Sequence, residues 1–547
     1  MTFETLSTPV ARLSRPTIGS VTLSLLVALY LLFATNGTFW SKATSYLGFA
    51  SPALILLGVG LAALFSALCI AVSVKYLTKP LFIFLITSSA AASWFMDHYG
   101  SIIDVDMIRN AAETTGAEAG DLITAGFFVH MMVFAGLPSL IVALVRIHHR
   151  PFGSKVLWNL ALVFSCLAIF AAAAIANVRT FAATTRQHRD LVATLNPVTP
   201  IASAVRYLKA SGVEENATVQ PLGTDARVMP LAGQSKPRVT IVVAGETARA
   251  ESFSLGGYFR PTNPELSRRD IRYFGETSSC GTATAVSLPC MFSVYTRSNY
   301  THEKGQTTEN LMDVLSHAGI KTEWWDNNTG SKGIADRIAY ISLAERNDPQ
   351  FCKGHECTDD VLLAGLDAWL DGIKGDSVLV LHQLGSHGPA YYQRYPEAFR
   401  RFQPDCRTAE LGNCTREEIA NAYDNSVLYT DHVLATVIDK LKSRDRRLAG
   451  SMVYMSDHGE SLGEHGLYLH GAPYFIAPSQ QTHVPFVLWL GKDAKASIAQ
   501  SCLIAKTGEP QSHDNLFHTV LGLMHVATSV YDPKLDTLAA CRGNPST

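Results

Sequence analysis

The stretch Met455-Ser-Asp-His-Gly-Glu-Ser-Leu-Gly-Glu-His-Gly-Leu-Tyr-Leu-His470 decides the fold of this chain. The apolar run that leads into it, Ser451 to Met455, breaks off abruptly at Asp457 and His458. A carboxylate and an imidazole thus stand at the carboxyl end of an expected strand, where α/β sheets build their sites. Zinc takes both ligand types and, when catalytic, keeps one position open for a nucleophile or substrate. Asp-His-Gly by itself is more often a turn; its place after a strand-like run makes it half of a metal site.

Two upstream segments qualify for the other half. Val239-Thr-Ile-Val-Val243 is a β-branched run of buried-strand type, and Ala244-Gly-Glu246-Thr247 follows at once, which puts Glu246 in the same crevice as Asp457. Cys280-Gly-Thr-Ala-Thr284-Ala-Val-Ser-Leu-Pro-Cys290 frames a hydroxyl-rich loop. A zinc-bound hydroxyl loses its proton readily, so Thr284 or Thr282 is a candidate metal-activated nucleophile. Taken singly, a Glu after a strand is usually a neighbour of a helix N-cap, and a close cysteine pair is usually structural. Their joint occurrence, each after a strand-like run, supports a site.

From Pro237 to about His525 strand-like and helix-like runs alternate, as in an α/β domain with a largely parallel sheet. Ser377-Val-Leu-Val-Leu381 leads into His382-Gln-Leu-Gly-Ser-His387-Gly-Pro, and Val484 to Leu490 is a further strand. The metal and its substrate are therefore expected at one edge of one sheet.

At 547 residues the chain is too long for one compact domain. Five apolar stretches occupy the first third: Ile18 to Thr35, Ala53 to Val74, Pro80 to Met96, Leu122 to Val145 and Val156 to Ala176. Each approaches the ~17 to 25 residues a helix needs to cross a bilayer. Buried helices of a soluble core would not be so free of charge, and a cleaved leader would not be followed by four more such runs. Three parts are expected: an α-helical five-span membrane domain (1–176), a linker with interfacial helices (177–236) and an α/β catalytic domain (237–547). Ile201-Ala-Ser-Ala-Val-Arg-Tyr-Leu208 in the linker has helical spacing and suits either a membrane surface or an ordinary packed connector.

Arg12 and Arg15, then Lys75 and Lys79, then Arg146, Arg150 and Lys155 mark one side of the membrane; the loop after the third span carries Asp97, Asp104, Asp106, Glu113, Glu118 and Asp121 against Arg109. The positive-inside rule makes the N-terminus cytoplasmic and places everything after the fifth span outside. A net charge of −2 gives no footing for nucleic acid. Of ten cysteines, Cys69 and Cys166 lie in spans and the rest follow residue 180 in close pairs, Cys280 with Cys290, Cys352 with Cys357 and Cys406 with Cys414, as suits an oxidising compartment. Cys502 and Cys541 form a fourth bridge or stay reduced. His130, inside the fourth span, either bonds a neighbouring helix or faces a lipid channel.

In combination these residues resemble the membrane-bound phosphoethanolamine transferases that modify lipid A, including the mobile colistin resistance enzymes, over nearly the whole chain. The motifs are Glu246 in Ala-Gly-Glu-Thr-Ala-Arg, Thr284 in Ser-Cys-Gly-Thr-Ala-Thr-Ala, the segment from Asp457 to Glu464, and Leu469-His470-Gly. The resemblance implies a periplasmic domain of alkaline phosphatase and sulfatase type, with Thr284 as nucleophile and Glu246, Thr284, Asp457 and His458 around one tightly bound Zn2+. Thr282 is then a bystander. His387 and His470 match family histidines near the substrate that hold a second zinc or the transferred group; His382 assists them or is structural. Lys332 matches a lysine that meets phosphate, and Asn110, Thr114 and Glu118 match residues that bind the ethanolamine head, their i, i+4, i+8 spacing suiting one helix face. Where many relatives have two cysteines, Ser331 and Ala335 flank Lys332, which implies a looser loop. His465 is expected on the surface.

The implied reaction moves phosphoethanolamine from phosphatidylethanolamine to a phosphate of lipid A through a phosphoethanolamine-threonine, in the inner membrane of a Gram-negative bacterium, by a monomer among the membrane lipids. The added amine would weaken the attraction of polymyxins such as colistin. Another envelope acceptor (lipopolysaccharide core, periplasmic glucan or protein) and a membrane-tethered phosphatase-like hydrolase are the alternatives. A sulfatase would need a Cys/Ser-x-Pro-x-Arg context that Thr284 lacks, and an inert scaffold would not retain the site residues.

Overall fold

The computed structural model describes residues 15–214, 218–230, 235–353 and 356–542, so Arg12 lies outside the described residues. The chain divides into two compact units, one of residues 1–98 and 125–201, the other of 99–124 and 202–547.

Among the described residues, four helices are long and apolar enough to cross a membrane: Pro52–Ala71, Thr78–Tyr99, Ala125–Leu144 and Phe152–Ala176. The first expected span departs from this pattern. Its apolar run forms only Ser20–Ala34, about 22 Å at 1.5 Å per residue, and then turns by 67° into Gly37–Leu47, so the spans number five only if the bent pair counts as one. Side chains end the helix: Asn36 Nδ2 donates to the Leu31 carbonyl at 2.8 Å and to the Asn196 carbonyl at 2.9 Å, and Thr35 Oγ1 donates to Leu31 as well. The start of the connector is packed, with Asp190 pairing Lys42 at 2.7 Å and His188 stacked on Tyr46. Gly60 lets the Pro52–Ala71 and Phe152–Ala176 helices approach closely, since a Cβ there would meet Ala173 at 3.4 Å. His130 Nε2 lies 3.0 Å from the Ala90 carbonyl and 3.1 Å from Ser93 Oγ, the helix-to-helix bonding of the two readings.

The second unit is built on a seven-stranded sheet ordered Ile271–Phe274, Phe486–Leu490, Ala449–Ser456, Arg238–Gly245, Ser377–His382, Lys321–Asp326, Ala339–Ser342. Phe486–Leu490 runs antiparallel to both of its neighbours; the remaining pairs are parallel. Both faces are covered, so the central strands read as continuous apolar runs. Val239, Ile241 and Val243 pack with the long Arg416–Lys442 helix, while Val242 and Ala244 pack with Leu311–His317 and Asp514–Leu523. A capping box between Thr415 and Glu418 starts the long helix. The register pairs Gly245 with Ser456 and Ala244 with His382, which brings the carboxyl ends of these strands level. The three close cysteine pairs are bonded, and Cys502 joins Cys541 as a fourth bridge.

Candidate active site

Glu246 leaves the Arg238–Gly245 strand just where Asp457 and His458 leave its neighbour, and Thr284 is the first residue of the Thr284–Met291 helix. Ligand atoms of Glu246, Asp457 and His458 lie within 4.8 Å of one another, and all three residues are buried. Thr284 Oγ1 stands 3.3 and 3.2 Å from the two Glu246 carboxylate oxygens and 3.3 Å from His458 Nε2. Thr282 is engaged elsewhere, donating to the Ala472 carbonyl at 2.6 Å. The tertiary structure therefore separates the two threonines that the loop sequence left equal.

The donor set fits a cation. Asp457 Oδ1 accepts the amides of Thr247 at 3.1 Å and His458 at 2.7 Å, while its buried Oδ2 has no hydrogen-bond partner and lies 3.3 Å from His458 Nε2. His458 Nδ1 donates to the Gly459 carbonyl at 2.9 Å, which leaves the lone pair on Nε2 facing the carboxylates, the usual arrangement of a metal-bound imidazole. Glu246 is oriented by Asn328 Nδ2 at 2.9 Å and by the Thr247 hydroxyl. Burial, then the Glu246 charge, push Asp457 up to about 6. Burial acts in the same direction on Glu246, but His458 and His387 outweigh it and hold that carboxyl below its ordinary value. Two adjoining buried carboxylates call for a positive partner.

The histidines form a row beside this cluster, with ring centres 4.4 Å apart for His458 and His470 and 5.4 Å apart for His470 and His387. His387 is placed by a tight turn: Gly385 has φ +55°, and the Ser386 amide donates to the Glu246 carbonyl at 3.0 Å. His470 Nδ1 meets Glu460 Oε2 at 2.9 Å, and the Tyr391 hydroxyl donates to Glu460 Oε1 at 2.5 Å. Burial pushes Glu460 up to about 8, against the opposing Tyr391 hydrogen bond and His458. The sequence reading passed over Glu460 although it lies inside the quoted stretch, because nothing local shows that its side chain turns toward a histidine ten positions on. His382 Nδ1 lies 2.9 Å from Asp326, and its ring is edge-on to Trp324. His465 is exposed.

The outer segment belongs to this second unit and corrects one expectation. Val105–Glu113 ends at an extended Thr114 and a new helix, Gly116–Leu122, begins after it, so Asn110, Thr114 and Glu118 do not share one continuous helix face. Two β-branched threonines and a glycine are poor helix formers, and Thr114 Oγ1 donates to the Asn110 carbonyl at 2.8 Å, which closes the first helix. The side chain of Glu118 lies outside what is described. Instead Glu113 meets Lys332 Nζ at 3.2 Å. The loop of Lys332 is also firmer than expected: Ser331 Oγ accepts the Ala335 amide at 3.1 Å, Gln306 donates to the Lys332 carbonyl at 3.2 Å, and the lysine side chain is only 7% exposed. A hydrogen bond thus joins Ser331 and Ala335 across the turn that carries Lys332.

Arg394 is a second residue that the sequence did not flag. Its Nε donates to the His387 carbonyl at 2.7 Å, Nη1 to Glu356 at 2.5 Å and Nη2 to Asp121 of the outer segment at 3.2 Å. Beside it a cavity of about 810 Å³ is lined by Thr115, Gly116, Asn328, Tyr340 and His387 among others.

A buried carboxylate–imidazole cluster at the carboxyl edge of a mostly parallel sheet, with a threonine hydroxyl facing it, defines an enzyme of the sulfatase class. Residues 238–526 match the Sulfatase family, and residues 61–211 match the family described as Phosphoethanolamine transferase EptA/EptB. Phosphoethanolamine transferase EptA of Salmonella typhimurium is 39% identical over 544 residues, 97% of this chain and 98% of its own. Phosphatidylethanolamine transferase Mcr-1 of Escherichia coli is 35% identical over 522 residues, 91% of this chain and 94% of its own. The solved integral membrane protein lipooligosaccharide phosphoethanolamine transferase A (EptA) of Neisseria meningitidis aligns with a TM-score of 0.94 at 36% identity, over 97% of this chain and 100% of that one. The chain belongs to the EptA family of phosphoethanolamine transferases. It is an integral membrane enzyme with a periplasmic catalytic domain.

Proposed function

We propose that this enzyme transfers phosphoethanolamine from phosphatidylethanolamine to a phosphate of lipid A, with Thr284 as the covalent carrier. The observation that carries the reading is the placement of Thr284 Oγ1 within 3.3 Å of Glu246 and His458 at the mouth of a cation-fitting cluster. Zinc held by Glu246, Asp457 and His458 would lower the pKa of the Thr284 hydroxyl and neutralise phosphoryl charge. Thr284 Oγ1 attacks the phosphorus of the donor; the P–O bond to diacylglycerol breaks, and the departing alkoxide takes a proton as diacylglycerol leaves. An oxygen of a lipid A phosphate then attacks the threonine-bound phosphorus and returns Thr284 to its hydroxyl form. These proton transfers fall to His470, whose Nδ1 meets Glu460, and to His387 beside it; both contacts support the reading. Lys332 meets phosphate oxygens, and the cavity lined by Asn328 and His387 takes the ethanolamine head; Asn110 and Thr114 are assigned to the same head group by the family resemblance, as is Glu118, whose side chain lies outside the described residues.

The N-terminus lies in the cytoplasm of a Gram-negative host, the protein acts as a monomer in the inner membrane, and added amine charge lowers polymyxin and colistin binding. The test is mass spectrometry of lipid A from a Gram-negative host expressing the chain, beside Thr284→Ala. A phosphoethanolamine adduct with the wild type alone is expected. Diacylglycerol release without an adduct would mean another acceptor or water, and an adduct with both proteins would remove Thr284 from its role.

A further inference from the structure

We propose that the first unit carries a binding site for an anionic phospholipid, apart from the catalytic centre, at the membrane face that holds Lys75 and Arg150. A cavity of about 930 Å³ opens there between the end of Pro52–Ala71 and the start of Phe152–Ala176. Lys75, His148, His149, Arg150 and Lys155 line its upper part. Among the described residues, none of Lys75, Arg150 and Lys155 makes an ion pair with a carboxylate: Lys155 donates to His149 Nδ1 at 2.8 Å, Arg150 lies over the Trp158 ring at 4.6 Å and Lys75 over Tyr76 at 5.1 Å. Ser73 also lines the cavity; it is 1% exposed and its hydroxyl has no partner among the described residues, a buried donor that a phosphate oxygen would satisfy. The Phe152–Ala176 helix starts at the same place with no side-chain cap, so its first amides add favourable dipole.

Below the cations, Phe152, Val156, Leu160 and Val163 form one stripe along that helix, with Phe152, Val156 and Leu160 exposed. Cations with no carboxylate partner among the described residues, beside an apolar stripe, match the shape of a lipid with an anionic head. A positive-inside bias alone would account for the charges, but not for a cavity with an orphaned serine hydroxyl. The zwitterionic catalytic donor fits less well, because its amine would meet these cations. Placing the lipid in the cytoplasmic leaflet rests on the orientation proposed above; the chemistry of the site does not.

The full-length protein in neutral detergent, titrated with phosphatidylglycerol, phosphatidylethanolamine or phosphatidylcholine and followed by native mass spectrometry, tests this. One saturable phosphatidylglycerol site is expected, weakened about thirtyfold in Arg150→Gln/Lys155→Gln, since each membrane-facing cation contributes about a factor of five. Ser73→Ala should weaken it severalfold without altering charge or insertion, and Thr284→Ala should bind phosphatidylglycerol like the wild type. Unchanged affinity in both cavity variants, or equal affinity for the three lipids, would overturn the proposal. Loss of binding in Thr284→Ala would move the lipid to the catalytic centre and also overturn it.

Discussion

At the scale of single residues, the site depends on groups whose neighbours leave them one free direction. Asp457 has one satisfied oxygen and one unpartnered one, and His458 spends its Nδ1 proton on the Gly459 carbonyl. Thr284→Ala should abolish transfer. Thr284 is buried rather than exposed, at the first position of a helix, so the substitution should cost about 1 kcal/mol and leave the melting temperature within a few degrees. Retained transfer in a folded variant would refute its role. Glu460→Ala removes the carboxyl group that orients His470. It should lower kcat about tenfold or more with little change in metal content, as loss of an orienting partner does. An unaltered kcat would make Glu460 a purely structural group.

Secondary-structure elements set how the segment 99–124 meets the site. Arg394 touches the His387 carbonyl and, through Asp121, the Gly116–Leu122 helix, so it is placed to couple docking of that helix to the histidine. Asp121→Asn removes one charge-assisted bond. It should raise KM for phosphatidylethanolamine about fivefold to tenfold while hydrolysis of a small soluble phosphodiester stays the same. Equal effects on both substrates would indicate general damage. The bridges should also differ in stabilising effect. Cys502 and Cys541 are 39 positions apart, Cys352 and Cys357 only 5, so chain-entropy reasoning gives about 4 against about 2 kcal/mol. Paired Cys→Ala variants compared by denaturant unfolding should follow that order; the reverse order would show that native contacts, not loop closure, dominate.

For the whole molecule, the proposed reaction has two lipid reactants, which would explain why a catalytic domain is tied to a helical membrane unit: tethering would confine the search to one surface. A fragment beginning at residue 218 lacks the spans and the 99–124 segment. It should retain the metal cluster and slow turnover of a soluble phosphodiester, yet show no transfer between lipids in vesicles; vesicle transfer at the wild-type rate would make the spans dispensable.

Membrane character and α/β class were both legible from residue order, because a bilayer demands long apolar runs and a doubly covered sheet demands β-branched runs ending in polar clusters. Glu246, Asp457 and His458 were readable for the same reason, each standing just past a strand. Local pattern was silent on what depends on other segments. The bend after Ala34 rests on Asn36 bonding Asn196, the break at Thr114 accompanies the meeting of Glu113 and Lys332, and Thr282 bonds Ala472 while Thr284 faces Glu246 and His458. Glu460 and Arg394 acquire meaning only through partners distant in sequence. The sequence by itself determined the kind of elements and the chemistry at their ends, since hydrophobic periodicity is local. Only the tertiary structure decided which side chains converge, since convergence depends on register, caps and long-range hydrogen bonds.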